Sequence, residues 1–388
     1  MAINLSRNTR LWVSTVTTGH NNSNTFEIPV QEGYSLSQSV ATADVSVEEA
    51  GPKPTRGGKR FNTNLDPVEW SFSTYFNPYS TGIDSNVYAV DMLMWHALAT
   101  SNSIDPDFDG SLGTGSDTVG DSDSFIVDFN NNSAHELTKL YMYFKIDNNV
   151  YLVSGCQVGQ AEISIDISDI SQVAWSGSAL SYTRLSSTPE FVSAAGNVFD
   201  AETALPNTFV AISADKKYLV NKLSTMAFTS NVADGTTQQH YDVPLTSGSI
   251  TINNNITYLT PNTLSEVDAP IGSFTGSFEV TGSFEAYMRN TNRSGNDSAN
   301  KKGTTELLED MLSNTSEVTN ITNVDLFIGG EASGAPQIKI SMPRLHIAVP
   351  SLNVDDVIST GIEFKAVPND PDLKSGSEIT IEMSPEIA

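Results

Sequence analysis

Two stretches of the chain carry residue types that could do chemistry. Asp105, Asp107, Asp109 and Gly110 in DPDFDG repeat the first half of a calcium loop, where alternate carboxylates converge on a hard cation. The pattern then fails, because the position that should carry a bidentate Glu is Ser116 and no helical periodicity follows. A flexible acidic loop is the expectation there, with no resident metal. The second stretch, GPKPTRGGKRF at 51–61, gathers Lys53, Arg56, Lys59 and Arg60 in a Pro/Gly-rich loop between strands. Such a cluster could hold phosphate, but in so acidic a chain a contact to an acidic neighbouring subunit is the better expectation. The five histidines are scattered, His96 included, and no second His or Cys lies at ligand spacing. No GxSxG elbow occurs, and no glycine-rich turn joins a strand to a helix as a phosphate cradle would. Neither an enzyme nor a cofactor is expected. Cys156 is read as a buried structural thiol, and NNNS at 130–133 and NRS at 292–294 as plain polar loops.

The balance of 20 Lys and Arg against 46 Asp and Glu gives a net charge of −26. A protein that grips nucleic acid through phosphates is thereby excluded, but an acidic wall that lets DNA slide past is not, since the same Coulomb interaction then repels. At 388 residues the chain exceeds one ordinary domain. Its 38% hydrophobic residues, 17% charged residues and 26 Gly favour a turn-rich β protein. The N-terminus MAINLSRNTRLW lacks an apolar h-region and no run approaches eighteen apolar residues, so a soluble cytoplasmic product without a membrane partner is expected.

The elements that would position such a wall begin with Gly272 to Met288, GSFTGSFEVTGSFEAYM. From Phe278 onward Phe278, Val280, Gly282, Phe284, Ala286 and Met288 face one way, and Ser277, Glu279, Thr281, Ser283, Glu285 and Tyr287 the other. This period of two predicts a long strand with one face in a core and one in water.

The order of elements recurs along the chain. FEIPV at 26–30 matches YDVPL at 241–245, and SFSTYF at 71–76 matches SFEAYM at 283–288. Both copies of the first motif are expected at sheet edges, because proline cannot donate to a ladder. A helix is predicted over Asn86 to Thr100, capped by Asp84 or Ser85, with Val87, Val90, Leu93, Met94 and Ala97 on one face. A second is predicted over Thr304 to Asn314, capped by Thr304 or Thr305, with Leu307, Leu308, Met311 and Leu312 on its face, and DML recurs at 91–93 and 310–312. Ile163, Ile165, Val173 and Gly177 align with Ile347, Val349, Val357 and Gly361 at an offset of 184. Residues 1–180 therefore read as a first β unit carrying an insertion at 101–135, and residues 218–367 as a second. Residues 181–217 connect them and 368–388 form a polar tail ending in the short strand-like EITIEM. Each unit is expected to be a small β-sandwich or half-open barrel with one helix packed on it.

The SFSTYF-type strand followed by one helix, the basic loop 48–62 and the late VxxxG blocks at Val173–Gly177 and Val357–Gly361, repeated in order, resemble the tail tube (major tail) proteins of long non-contractile-tailed bacteriophages. The resemblance implies a mainly β, tail-tube-like fold of paired sheets flanked by a helix. Six such units close a ring, so a chain with two would form a trimer imitating sixfold symmetry. Stacked rings would make the virion tail tube, assembled in the host cytoplasm and passing DNA without specific binding. The tape measure protein and the tail terminator are the other implied partners. On this reading Glu69, Glu279 and Glu285, with Glu162 and Asp166, line the lumen, and Lys53, Arg56, Lys59 and Arg60 reach a neighbouring ring. A capsid or decoration protein and a bacterial surface adhesion module are the alternatives.

Overall fold

The computed structural model describes residues 9–18, 20, 25–48, 56–80, 87–89, 91–99, 111–112, 125–129, 136–147, 149–185, 190–192, 198–200, 218–230, 239–261, 263–264, 267, 269–289, 301–313, 321–329, 336–348, 351–354, 357–368 and 378–384. The first half supplies β1 (Thr9–Ser14), β2 (Thr25–Ile28), β3 (Ser35–Glu48), β4 (Arg56–Tyr75), α1 (Met92–Ala99), β5 (Phe125–Asp128), β6 (Leu140–Ile146), β7 (Asn149–Asp166), β8 (Gln172–Ala179) and β9 (Ser181–Leu185). The second supplies β10 (Thr225–Ser230), β11 (Gln239–Asp242), β12 (Leu245–Asn253), β13 (Glu279–Tyr287), α2 (Thr304–Ser313), β14 (Ile321–Ile328), β15 (Gln337–Ile347), β16 (Ser351–Val354), β17 (Ile358–Ala366) and β18 (Thr380–Ser384). The fold is mainly β, as expected.

Alternation writes the two faces of one long antiparallel sheet, whose strands pair in the order β3-β4-β8-β7-β12-β13-β17-β15. On β4 the residues Val68, Trp70, Phe72 and Thr74 are buried, and on β13 Val280, Phe284 and Ala286 are. A second layer covers this apolar face. It comprises β2-β1-β6-β7-β9 in the first half and β11-β10-β14-β15-β18-β5 in the second. Phe72 of the long sheet meets Phe144 of the covering layer with ring centroids 6.5 Å apart. Among the described residues the pairings close no ring, so both sheets are open.

β7 and β15 each serve both layers, and the sequence shows how a strand can change sheets. β7 turns at Gly155, whose φ of 65° favours glycine, beside a bulge between Val153 and Cys156. β15 turns between Met342 and Leu345, where Pro343 cannot donate to either ladder.

α1 is buried on every side, from Met92 to Ala99, because aromatic side chains of the sheets and of the helix enclose it. Trp95 stacks on Phe76 at 5.4 Å and meets Trp175 edge-on at 4.7 Å. Leu93, Met94, Leu307 and Met311 are buried as expected, whereas Leu312 is 61% exposed and Val90 lies outside the described residues. Leu93→Ala is expected to cost about 2–5 kcal/mol in chemical denaturation; a loss under about 0.5 kcal/mol would mean that the site is not packed.

Several expectations change. The strand expected from Phe278 to Met288 is present but shorter, β13 having 9 residues, and Gly272–Phe274 ahead of it pairs separately with Thr257–Leu259. The break falls at Gly276, whose N–H is held by the carbonyls of Asn254 and Asn255. α1 begins at Met92, since Val87–Ala89 is a short strand paired with Pro78–Ser80. Asp91 therefore precedes α1 while Asp310 lies inside α2, so the two DML motifs occupy different positions. The proposed caps Asp84 and Ser85 lie outside the described residues. At α2 the Glu306 carboxylate takes the Gly303 N–H at 2.9 Å, so Gly303 caps the helix in place of a threonine. β11 is no free edge, because Lys301–Lys302 pairs with it. The strand-like EITIEM that ends the C-terminal stretch forms β18, which is built into the covering layer between β15 and β5 with Ile379, Ile381 and Met383 buried. The insertion supplies β5, whose Val127 is buried, as is Phe129 just beyond it.

Candidate functional site: the polar face of the long sheet

Directly paired residues of neighbouring antiparallel strands share a face, so the ladder registers define what the polar side of the long sheet presents. Ser35 and Ser37 of β3 lie beside Ser71 and Glu69 of β4, and these beside Ser176 and Ser178 of β8. Glu162 on β7 lies between Ala174 and Thr251, and Thr251 is paired with Thr281 on β13. Ser247, Ser249 and Asn253 of β12 oppose Glu285, Ser283 and Glu279. Hydroxyls, carboxylates and amides fill the face across β7 and β12.

All five carboxylates expected on one wall lie on this face: Glu69 on β4, Glu162 and Asp166 on β7, and Glu279 and Glu285 on β13. Asp166 ends its strand, where the backbone N–H and the hydroxyl of Ser168 hold its carboxyl below the usual range. Two charged residues of the face went unread in the sequence. Glu363 pairs with Ser283, and Lys365 pairs with Thr281. The alternation in Ile362-Glu363-Phe364-Lys365-Ala366 is the signal that could have found them. Lys365 donates to Glu279 at 2.8 Å, and this hydrogen-bonded ion pair holds the Glu279 carboxyl below its ordinary value. The pair is solvent-exposed, so its effect is to cancel charge locally rather than to stabilise the sheet. Glu285 accepts the Ser247 hydroxyl at 3.2 Å.

Beyond Gln38 the hairpin of β3 and β4 leaves the sheet as a two-stranded arm. Val40, Val45 and Phe61 on it are exposed. The basic cluster was expected in a loop; instead Arg56, Lys59 and Arg60 lie on β4, paired with Glu48, Val45 and Asp44. Lys53 lies outside the described residues. Arg60 forks onto Asp44 at 2.6 and 2.9 Å, and Lys59 beside it is exposed. The calcium candidates Asp105, Asp107 and Asp109 also lie outside the described residues, and among the described residues no His, Cys, Asp or Glu cluster suits a metal. Cys156 is buried, and burial pushes its thiol pKa up. No helix of the described residues is long and apolar enough to cross a membrane.

A family model described as phage tail tube protein matches residues 7–366. The chain is also 40% identical over 379 residues to the tail tube protein pb6 of Escherichia phage T5, covering 97% of this chain and 75% of that protein.

Proposed function

The chain belongs to the phage tail tube protein family, and from that premise we propose that three copies close head to tail into a ring with the polar face inward. It is a structural component of the virion tail. Rings stacked on one another would form the conduit for DNA, with the tape measure protein inside during assembly in the host and the terminator at the end. On this reading the chain has no catalytic task.

The observation that carries the reading is the ladder between β7 and β12, running from Gln160↔Asn253 to Asp166↔Ser247. It joins the last strand of one four-stranded set to the first strand of another, and the two sets pair in the same order, β3-β4-β8-β7 and β12-β13-β17-β15. That order supports two copies of one unit per chain, near 1–180 and 218–367. The ladders favour other offsets than 184: Ile163 opposes Val173 as Leu352 opposes Thr360, and Gly177 opposes Trp70 as Phe364 opposes Gly282.

Repeating the internal joint between chains predicts its register. Ser164↔Ser249 and Ile163↔Ile250 become Asn353 and Leu352 against Ser35 and Leu36 of the next copy. Ile163 is fully buried in the internal joint whereas Leu352 is 51% exposed, the difference expected of an edge awaiting its partner. Closure would also hide two strand edges that invite aggregation. Leu352→Asp is expected to leave folded single chains in sedimentation, where the natural chain gives trimers and rings; hexamers of the natural chain would overturn the reading. In assembled tubes Glu279→Lys with Glu285→Lys should slow DNA passage, and most of the effect should come from Glu279, because its loss also frees Lys365 for phosphate.

A further inference from the structure

Where the chain enters its second half, a short segment is laid across the turn that joins β7 to β8. Ile170 and Val220 form an antiparallel bridge, with the Ser171 N–H on the Leu219 carbonyl at 3.1 Å and the Asn221 N–H on the Asp169 carbonyl at 3.3 Å. The Ser171 carbonyl is taken in turn by the Phe76 N–H at 3.0 Å. Leu219 reaches the second half, since a Cβ at Gly329, just beyond β14, would run into its side chain. The bridge alternates its faces: Val220 is exposed, whereas Ser171, Leu219 and Asn221 are buried. Ser171 lies across from Leu219, so Ser171 and Asn221 are diagonal neighbours on the inward face. Asn221 also opens a 3-10 turn, Asn221–Leu223, closed by the Ser224 N–H on the Asn221 carbonyl at 2.9 Å. Side chains three apart eclipse in such a turn, which brings the Ser224 hydroxyl to the side of the Asn221 amide. The Ser171 hydroxyl, both polar atoms of the Asn221 amide and the Ser224 hydroxyl are shielded from solvent, and none has a protein hydrogen-bond partner among the described residues.

We propose that Ser171, Asn221 and Ser224 form a binding site for one buried water molecule, which ties the first-half turn to the segment that opens the second half. Polar atoms orphaned together in this way destabilise a fold unless something satisfies them. Diagonal neighbours on one face stand roughly 7 Å apart, too far for one hydrogen bond and about the reach of two with a small molecule between them. The chemistry of the set selects the occupant. The amide offers a donating and an accepting side, and each hydroxyl can do either, which matches a molecule that itself both donates and accepts. An ion would bring a buried charge that none of these neutral groups balances. Buried waters typically make about three hydrogen bonds to groups the fold leaves over, and three side chains converge here. Such directional bonds fix how the entering segment sits on the turn, which apolar packing at the same place would not do.

Urea denaturation of the full chain carrying Ser171→Ala, Ser224→Ala or both tests the site, because each change removes one oxygen and adds no bulk. Each single variant is expected to raise the unfolding equilibrium constant on the order of fivefold, since the water loses a partner. The two hydroxyls are coupled only through the water, so the double variant should lose clearly less than the two single losses combined. At a dry site, deleting an orphaned hydroxyl would relieve its burial. Single variants at or above the natural midpoint therefore overturn the proposal, and so does strict additivity of the pair. Exchanging sodium for potassium should leave the natural midpoint in place; a shift with one cation alone would make the occupant an ion and overturn the reading as well.

Discussion

Replacing Gly177 with alanine is expected to cost on the order of 3 kcal/mol or more, although only one methyl group is added. A Cβ at this position would run into the backbone carbonyl of Gln157 and the indole of Trp70, which lies directly across the ladder. Neither can yield: the carbonyl belongs to a paired strand and the indole is buried with its N–H on the Ser178 carbonyl. A glycine–aromatic pair across a ladder also occurs in the second half. There Gly282 lies on β13 and Phe364 on β17, and a Cβ at Gly282 would meet the Ser249 carbonyl and the Phe364 ring. Urea denaturation measures the loss. Trimming the aromatic partner as well, in Gly177→Ala with Trp70→Leu, should restore little, because the carbonyl clash persists. A single variant within about 0.5 kcal/mol of the natural chain would show that the ladder can shift to admit a side chain.

The Asp91→Asn chain should lose a pH dependence of stability worth on the order of 3 kcal/mol between pH 4 and pH 7.5. Asp91 is fully buried, and burial raises its pKa from 3.8 to about 6 despite hydrogen bonds from Thr74 at 2.8 Å and the Trp95 indole at 3.1 Å. Thr74 in turn accepts the Trp175 indole N–H at 3.0 Å, so the carboxyl closes a network between α1 and the long sheet. A folded pKa above the unfolded one means that the folded state binds the proton more tightly. The resulting stability is full below about pH 4 and is lost as pH rises through about 6, and roughly two pK units at 1.36 kcal/mol each set the size. Asparagine keeps a neutral hydrogen-bonding group at every pH, so the difference in unfolding free energy between the natural chain and the variant should swing across this window. Parallel curves would show that the group does not titrate there.

The sequence alone determined the two-faced strands, because alternation of apolar and polar residues is a local property of extended backbone. Hence Glu279 and Glu285 were legible as one polar face of their strand before that strand had a partner. Leu93, Met94, Leu307 and Met311 were legible as buried helix positions for the same reason, although Val87 to Ala89 was misread, since a short apolar run suits a strand and a helix equally. Partnership was decided only in three dimensions. Alternation matches at many offsets, so nothing local told that Ile163 pairs with both Val173 and Ile250, that β18 completes a sheet, or that Lys365 lies beside Glu279. The pairing of Trp70 with Gly177 and of Phe364 with Gly282 was hidden for the same reason. Packing conserves the summed volume of a cross-strand pair rather than the identity of either member, and that sum exists only once the strands are side by side.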